Sequence, residues 1–354
     1  MNPLEPTPER EELRDAVRAA LARHPGHAAW APLTAQVGAA ALAVPEEFGG
    51  LGFGSAEVAV VMAELGRSLS PVPYLGSAVL TAGALLAAGD REACAKHLPG
   101  LAGGTVVGAL AWAEADGWEA SGVTARAEPA GPDWLLTGTK RYVLTGPVEP
   151  ALLLAFAVTP AGALGLFELT APPAAFTVRS TMDRTRPLAE LTLDRSPARL
   201  LSSDGDSVLA RVRDLACTAL AAEQAGAAAR ALEVTVRYAK ERVQFGRPVG
   251  AFQAVKHRLA DMYTAVEGAR SLALAAAAAD AAPDLAAAAK SACSEAFTYV
   301  AGEMIQLHGG IGITWEHEAH EFFKRAHGSA QLFGPPAAHR ERLARRLGFG
   351  ATGR

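Results

Sequence analysis

Two helices and the corner between them are encoded in Arg237-Tyr-Ala-Lys-Glu-Arg-Val-Gln-Phe-Gly-Arg-Pro-Val-Gly-Ala-Phe-Gln-Ala-Val-Lys-His-Arg-Leu-Ala-Asp-Met262. Apolar residues recur at spacings of three and four on both sides of the corner, as on a helix face that packs against a core. They are Leu232, Val236, Ala239 and Val243 before it, and Val255, Leu259, Met262, Val266 and Ala269 after it. Gly246, Pro248 and Gly250 interrupt the pattern, because proline and glycine end helices. The stretch therefore predicts an antiparallel helix pair.

The corner also gathers polar and aromatic residues that helix packing does not require. They are Arg242, Gln244, Phe245, Phe252 and Gln253. An arginine fork matches phosphate oxygens and phenylalanine faces cover flat heterocycles, so this set suits a bulky anion that carries a ring. Spacing alone leaves one alternative open, a helix hairpin whose arginine caps the last carbonyl groups.

The corner closely resembles the C-terminal helical segment of the acyl-CoA dehydrogenase family, through Arg-Val-Gln-Phe-Gly-Arg-Pro-Val at 242–249 and Phe-Gln-Ala-Val-Lys-His at 252–257. Other segments are similar to the same family, in the same order, over roughly residues 28 to 345. They are Val-Pro-Glu-Glu-Phe-Gly-Gly-Leu-Gly-Phe-Gly at 44–54, Glu64-Leu-Gly-Arg67, Asp183-Arg-Thr-Arg186 and Gln306-Leu-His-Gly-Gly-Ile-Gly-Ile-Thr-Trp-Glu316. The chain is identified as a member of that family by this resemblance.

Composition limits the classes of protein that fit. The 354 residues have a net charge of −4. Because a nucleic-acid-binding protein usually has an excess of basic residues, we do not expect this chain to bind nucleic acid. Cys94, Cys217 and Cys293 are odd in number and lack a paired metal spacing, which favours a reducing cytoplasm over a disulfide framework. Residues 1–10 are acidic and proline-rich, unlike a secretory signal. The alanine-rich stretch 272–289 is broken by aspartate and proline, so no membrane span is expected.

The periodicity along the chain predicts an α+β multidomain protein. Residues 1–106 form a helical domain, with a glycine-rich turn at 45–54 that could alternatively cradle a phosphate. Short apolar runs in 107–202 predict an antiparallel β domain, either a barrel or a sandwich. Residues 203–354 return to long helices. Helical, β, helical is the family's order, and the resemblance implies a C-terminal four-helix bundle and tetramers built as pairs of dimers.

The resemblance implies that FAD is shared across a dimer, one subunit holding the flavin ring and its neighbour the pyrophosphate and adenine. The residues that match the second role are all present. They are Arg242, Gln244, Phe245, Phe252, Gln253, Gln306, Gly309 and Gly310. The ring-holding half departs from the family, because Trp112-Ala-Glu114 replaces Thr-Glu-Pro and Leu144 cannot hydrogen-bond flavin N5. Tyr142 can still cover a ring face.

The chemistry of the family needs a carboxylate that removes the α-proton of a thioester. Where the family places that base, this chain has Gly334 and Pro335, and at the alternative place Ala216, none of which takes a proton. Glu223 lies seven residues after Ala216, about two turns along the same helix face, and could serve if that helix is shifted. The alternative is a helix-surface or subunit-contact glutamate.

Two further motifs predict no chemistry. His317-Glu-Ala-His320 has its histidines three apart where a zinc helix needs four, so no metal site is expected. Gly54-Ser55 lacks the surroundings of a nucleophilic serine.

Three functions stay open. The first is FAD-dependent α,β-dehydrogenation of an acyl-CoA thioester by a hetero-oligomer whose paralogous partner supplies the base. The second is a self-sufficient homo-oligomer that uses Glu223. The third is a non-dehydrogenase flavin-scaffold subunit or a flavin oxygenase on the same fold. For a dehydrogenase, the resemblance implies electron transfer flavoprotein as the acceptor.

Overall fold

A computed structural model describes residues 7–115, 117–146 and 149–349. Residues 1–6 and 350–354, which the predictions for the terminal domains include, lie outside these ranges. The described chain begins with α1 (Pro8–Arg23), α2 (Trp30–Ala35), α3 (Ser55–Arg67), α4 (Ala82–Ala88) and α5 (Arg91–Ala102). It ends with α6 (Gly205–Glu241), α7 (Gln253–Ala278), α8 (Pro283–His308), α9 (Ala319–Gln331) and α10 (Pro336–Arg346). The predicted order of helices, strands and helices is confirmed.

In chain order, seven strands of the described ranges follow α5 and precede α6. They are β1 (Gly108–Ala111), β2 (Arg126–Ala130), β3 (Asp133–Leu144), β4 (Leu152–Val158), β5 (Leu164–Leu169), β6 (Ala175–Arg179) and β7 (Leu188–Ser202). They form one sheet in the order β1-β4-β2-β3-β7-β5, in which β6 also pairs with β7 and β4 with β5. Two short strands, β8 (Val243–Gln244) and β9 (Arg247–Pro248), pair as a separate hairpin after α6.

The seven-stranded sheet is mixed, so the prediction of a purely antiparallel domain was wrong. β4 runs parallel to β1 over Gly108–Ala111 and to β2 where Val158 lies opposite Arg126, whereas the other pairs are antiparallel. The reason is topological. β3 runs opposite to β2, so β4, which reverses direction again, enters the sheet parallel to both β1 and β2.

The chain divides into two compact units. Unit 1 comprises Met1–Arg18, Ala59–Ser70 and Cys217–Arg354, and unit 2 comprises Ala19–Val58 and Pro71–Ala216. The three-domain division with boundaries at 106 and 202 stays a prediction. None of the helices in the described ranges combines the length and the hydropathy that crossing a lipid bilayer requires.

Unit 2 is built around the buried face of the sheet, where Leu136, Phe167 and Leu191 share one apolar cluster. A fully buried π-helical segment, Leu75–Thr81, leads into α4. Within it, the Thr81 hydroxyl donates to the Gly76 carbonyl oxygen at 2.8 Å. The hydroxyl therefore satisfies a carbonyl group that has no contact with water.

Unit 1 has an apolar core between α6, α7, α8 and α9, with Met262, Phe297 and Phe322 fully enclosed. The backbones of α3 and α6 touch at two glycines. A Cβ atom on Gly66 would lie 2.0 Å from the Glu223 carbonyl oxygen, and one on Gly226 would lie 2.1 Å from that of Ala63. Only glycine permits such an approach, since no side chain separates the helices.

Paired charges link α3 to α6 and to α1. Arg67 donates to both carboxylate oxygens of Glu233 at 2.9 and 2.7 Å, and Arg18 donates to both oxygens of the buried Glu64 at 2.8 Å. Bidentate pairs of this kind fix orientation as well as distance. The Glu64-Leu-Gly-Arg67 segment is thus a helix-crossing motif that contributes a glycine and two charges.

Candidate functional site

The predicted corner is present, but α6 ends at Glu241, before the Val243 that the apolar spacing suggested. β8 and β9 follow at once and pair Gln244 with Arg247, which leaves Phe245 and Gly246 as a two-residue loop. Both loop residues have positive φ, +54° and +76°. This is the pattern of a type I′ hairpin turn, in which two left-handed residues match the twist of the strands. A hairpin therefore replaces the last half-turn of the predicted helix.

Phe245 is the least typical residue of this turn. The side chain is 92% exposed, and a non-glycine residue in the left-handed region costs on the order of 1 kcal/mol. Asparagine or aspartate before glycine is the favoured choice for such a turn. An exposed phenylalanine in a strained conformation has no explanation within the fold, so a contact with a ligand or another chain is indicated.

The polar residues of the corner face solvent. Arg242, Gln244 and Gln253 are exposed, and within the described ranges the Arg242 guanidinium has neither a hydrogen bond nor an ion pair. The alternative that Arg242 caps helix carbonyls therefore has no support. Phe252 is half-buried, and its ring centroid is 6.2 Å from that of Phe245. The Arg247 guanidinium lies over the Phe252 ring, 4.1 Å from the ring centroid. The corner presents cationic and aromatic groups together.

The predicted glycine motif lies at the C-terminal end of α8. Gln306 is on its last turn, Gly309 has a positive φ of +63°, and Gly309–Ile313 forms a 3-10 turn. Gln306, Gly309 and Gly310 are all exposed. The backbone of this turn is therefore accessible to a second molecule.

A tyrosine joins the corner to the glycine motif. The Tyr238 ring stacks on the His308 ring at a centroid distance of 4.3 Å, and the Tyr238 hydroxyl donates to the His308 carbonyl oxygen at 3.2 Å. The sequence reasoning missed both residues. The available signals were the place of Tyr238 four residues before Arg242, and of His308 next to Gly309. The structure thus brings the eight predicted nucleotide residues to one end of unit 1.

The base positions hold no carboxylate. Ala216 is fully buried on α6, and Gly334 is buried with a φ of +108°. The Gly334 carbonyl oxygen instead accepts a hydrogen bond from Lys290 at 3.2 Å. The same amine donates to the Ser294 hydroxyl and the Ala330 carbonyl oxygen, and burial lowers the pKa of Lys290 to about 8.

Glu223 lies in the interior of unit 1, so the helix-surface alternative is wrong. Glu223 is 3% exposed, and its carboxylate accepts a hydrogen bond at 2.8 Å from the guanidinium of Arg325, a residue that is 1% exposed. Arg325 also donates to the Leu69 carbonyl oxygen at 3.3 Å. A carboxylate that pairs with a buried arginine is costly to protonate, because protonation removes the negative charge of a buried ion pair.

The residues that the resemblance assigns to the flavin ring lie in unit 2, and the charged groups beside them are bonded to one another. Lys140 is fully buried and donates to the Glu114 carboxylate at 2.6 Å. Glu114 also accepts the backbone N–H groups of Thr124 and Ala125 and the Thr124 hydroxyl. Burial alone would raise the pKa of Glu114, but Lys140 and these donors hold it below its usual range. Burial lowers the pKa of Lys140 to about 8 against the opposing effect of Glu114.

The aromatic residues beside this pair also contact one another. The Trp118 ring lies 5.3 Å from Trp112 edge to face, and 5.6 Å from Tyr142 in a tilted arrangement. Leu144 is buried, and its carbonyl oxygen would lie 2.6 Å from a Cβ on Gly76. Tyr142, which was predicted to cover a flavin ring, therefore already contacts the Trp118 ring.

Two other sequence predictions concern backbone turns. In the glycine-rich segment, Gly50 donates to Pro45 and Gly52 to Val44, and a Cβ on Gly50 would lie 1.9 Å from the Val44 oxygen. These backbone donors are used inside the turn, which supports the turn interpretation over a phosphate cradle. The His317 Nδ1 atom accepts the Ala319 N–H at 3.1 Å, as in a helix start.

Comparison with known proteins gives consistent matches along the chain. Residues 214–348 match the family described as acyl-CoA dehydrogenase, C-terminal domain, and residues 7–105 match acyl-CoA dehydrogenase, N-terminal domain. The chain is 42% identical over 353 residues to acyl-CoA dehydrogenase IpdE2 of Mycobacterium tuberculosis, which covers 96% of this chain and 97% of that protein.

Two solved structures are similar in fold over nearly the whole chain. One is a variant of the Tcur3481-Tcur3483 steroid ACAD, with a TM-score of 0.87, 33% identity and coverage of 98% of this chain and 99% of that one. The other is the ChsE4-ChsE5 complex from Mycobacterium tuberculosis, with a TM-score of 0.88, 29% identity and coverage of 99% and 100%.

Proposed function

The chain belongs to the acyl-CoA dehydrogenase family, whose members use FAD and act on CH–CH groups, and from this premise we propose that it is one subunit of a hetero-oligomeric acyl-CoA dehydrogenase. In this proposal it supplies nucleotide contacts to the FAD of a paralogous partner. The partner supplies the catalytic base and most of the contacts to the flavin ring. The reaction is α,β-dehydrogenation of an acyl-CoA thioester.

The observation that carries the proposal is the unpaired corner of unit 1. Arg242 has no counter-charge within the described ranges, and Phe245 is held exposed in a left-handed conformation. These features fit a diphosphate joined to a heterocycle, since a guanidinium binds phosphate oxygens and a phenyl face covers a ring. Arg242 would hold the diphosphate, Phe245 and Phe252 would cover the ring system, and Gln244, Gln253 and Gln306 would donate hydrogen bonds. Gly309 and Gly310 would let the backbone approach.

The fit is poorer in unit 2. The Lys140 and Glu114 charges satisfy each other, and Trp118 lies against Tyr142. When bound, FAD supplies an acceptor for the β-hydride of the thioester. The residues of this chain would bind the nucleotide end of FAD, whereas few of their polar groups remain free to contact the flavin ring.

The missing base supports a partner that differs in sequence. Gly334, Pro335 and Ala216 cannot accept a proton, and the Glu223 carboxylate is occupied by Arg325. The reaction needs a carboxylate within hydrogen-bond reach of the proton on the α-carbon, and in this proposal it comes from another chain. Two of the similar structures carry the names of two components, Tcur3481-Tcur3483 and ChsE4-ChsE5. A bulky acyl group is a suitable first test, since one of those structures is of a steroid ACAD.

Further features of the proposal follow the family. We expect the sheet to be a β-barrel, because the pairings run β2-β3-β7-β5-β4 and return to β2, and α6 to α9 to be the four-helix bundle. Electron transfer flavoprotein is the expected electron acceptor. A cytoplasmic location and a tetramer of paired dimers complete the proposal.

Flavin content tests the proposal. The chain is purified alone and after co-expression with a paralogue encoded beside it, and FAD per chain is measured. We expect a colourless or poorly folded chain alone and a yellow complex, whose flavin bleaches anaerobically with a steroid-derived or linear acyl-CoA. Arg242→Ala should lower FAD retention, whereas Arg270→Ala, an exposed arginine on α7, should not.

Three results would contradict the proposal. A colourless, inactive co-purified pair would rule out the shared flavin site. A chain that is yellow and active alone would favour the self-sufficient homo-oligomer. Flavin that stays oxidised with acyl-CoA but is reduced by an external donor would favour a flavin oxygenase or a flavin-scaffold subunit.

A further inference from the structure

Tyr238 holds Arg242 through the backbone. The Arg242 N–H donates to the Tyr238 carbonyl oxygen at 2.8 Å, and the Val249 N–H donates to the Arg242 carbonyl oxygen at 2.8 Å. The first bond continues the hydrogen-bond pattern of α6, and the second closes the base of the β8–β9 hairpin. The position of Arg242 is therefore set by the last turn of α6, on which Tyr238 lies.

The side chain of Tyr238 holds a second, distant segment. Its hydroxyl donates to the His308 carbonyl oxygen, which belongs to the same peptide group as the Gly309 N–H. That N–H donates to the Gln306 carbonyl oxygen. Because a peptide group is planar, bonds at both of its ends fix the orientation of the whole unit. The turn from Gln306 to Gly310 is thus anchored to α6 through one hydroxyl.

Ring stacking supports the same anchor. His308 lies between Tyr238 and His317, at centroid distances of 4.3 and 4.4 Å. The His308 Nδ1–H donates to the Met304 carbonyl oxygen at 2.7 Å, whereas Nε2 is buried and has no hydrogen-bond partner in the described part of the chain. One hydrogen bond does not fix a ring that can rotate about its side-chain bonds. The Tyr238 ring therefore limits the rotation of His308.

We propose that Tyr238 is a positioning residue that pre-assembles the two halves of the nucleotide site, Arg242 to Gln253 and Gln306 to Gly310. This inference rests on the proposed function. The two halves are exposed and come from distant parts of the sequence, so without an anchor a ligand would have to order them. Ordering of exposed segments at the moment of binding weakens affinity.

The test measures binding of FAD, and of ADP as a competitor, to the co-expressed complex after its flavin has been removed. Tyr238→Phe removes the hydroxyl and keeps the ring, whereas Tyr238→Leu removes both. Tyr263→Phe is the matched control, since Tyr263 is 59% exposed on α7. Hydrogen exchange of the 306–314 amides without ligand is the second readout, and the melting temperature is recorded for each variant.

We expect Tyr238→Phe to raise the Kd for FAD about threefold to tenfold, the range of one hydrogen bond. Tyr238→Leu should raise it about tenfold or more, and both variants should exchange the 306–314 amides faster. Tyr263→Phe should match the wild type. Wild-type affinity and exchange in Tyr238→Phe, with weaker binding in Arg242→Ala, would overturn the positioning role and leave the proposed function intact. Equal FAD binding by the wild type and Arg242→Ala would instead contradict the proposed function.

Discussion

The corner of unit 1 and the Glu114–Lys140 region of unit 2 contain similar kinds of residue in opposite states. At the corner, Arg242 and Phe245 are exposed, and Arg242 has no ionic partner in the described ranges. In unit 2, Lys140 and Glu114 are buried and paired, and the neighbouring aromatic rings contact one another. Groups that are satisfied inside a fold stabilise it, whereas groups that the fold leaves unsatisfied are available to a ligand. Residue type alone does not distinguish the two states.

The largest expected effect is on the paired region. Lys140→Met should reduce the free energy of unfolding by about 3–5 kcal/mol, because it leaves the Glu114 carboxylate buried without a cation. Urea unfolding measures this loss. The double variant Lys140→Met with Glu114→Gln should recover part of it. A loss below about 1 kcal/mol in the single variant would mean that the pair is not a structural element.

The second prediction extends the comparison to Glu223. Glu223→Gln should reduce the free energy of unfolding by about 2–4 kcal/mol, because the buried ion pair with Arg325 would be lost. In the complex, dehydrogenation should fall no more than the loss of folded protein explains. Arg325→Met, which removes the partner charge, is the matched variant and should give a similar loss. A drop in kcat of a thousandfold or more for Glu223→Gln, with stability unchanged, would identify Glu223 as the base.

The third prediction concerns the corner, where one substitution should affect stability and FAD affinity in opposite directions. Phe245→Asn should leave the free energy of unfolding unchanged or raise it by about 0.5–1 kcal/mol, because Asn-Gly is favoured in a type I′ turn. The same variant should weaken FAD binding in the complex about tenfold or more, since the exposed ring is lost. Val178→Asn is a control, since Val178 is 57% exposed in β6. Lower stability together with normal FAD binding would show that Phe245 serves the fold.

The smallest effect is expected with pH, at the glycine motif. Burial lowers the pKa of His308, and the neighbouring His317 lowers it further. The hydrogen bond to the Met304 carbonyl oxygen opposes both effects, because it raises this pKa. Burial and Lys324 lower the pKa of His320. A buried neutral histidine contributes stability above its unfolded pKa of about 6.5, and loses it as pH falls through the lower folded value. The melting temperature should therefore drop by a few degrees between pH 7 and pH 5.

His308→Phe isolates this contribution, because phenylalanine keeps the stack on Tyr238 and does not titrate. The melting temperature of the variant should depend less on pH than that of the wild type over the same interval. An identical slope for the two proteins would assign the pH dependence to other groups.

The helices were predictable because apolar residues follow the helical period over long spans. In α8 (Pro283–His308), for example, Phe297, Val300, Ala301 and Met304 follow this spacing and are buried. The β region was less predictable. Residues 134–136 and 142–144 are two of the short apolar runs in 107–202, and both belong to one strand, β3, in which the register shifts twice. Alternation along a strand is lost at such irregularities, so one long strand has the pattern of two short ones.

Prediction of the candidate site from the sequence was limited in a similar way. A motif at 242–253 and another at 306–310 could be recognised, but the Tyr238 contact that joins them depends on two helices ending side by side. The type I′ turn was also missed, because phenylalanine is not a residue that predicts one. The pairing of Glu223 with Arg325 links residues far apart in sequence, and no local pattern indicates it.

The contact between Gly66 and Gly226 has a consequence for anyone who builds hybrid subunits from related chains. Because the two backbones meet without a side chain between them, α3 and α6 form a matched set. A chimera that takes only one of them from a donor with a larger residue at either place would force that side chain into the opposing backbone. Exchange of both helices together preserves the fit.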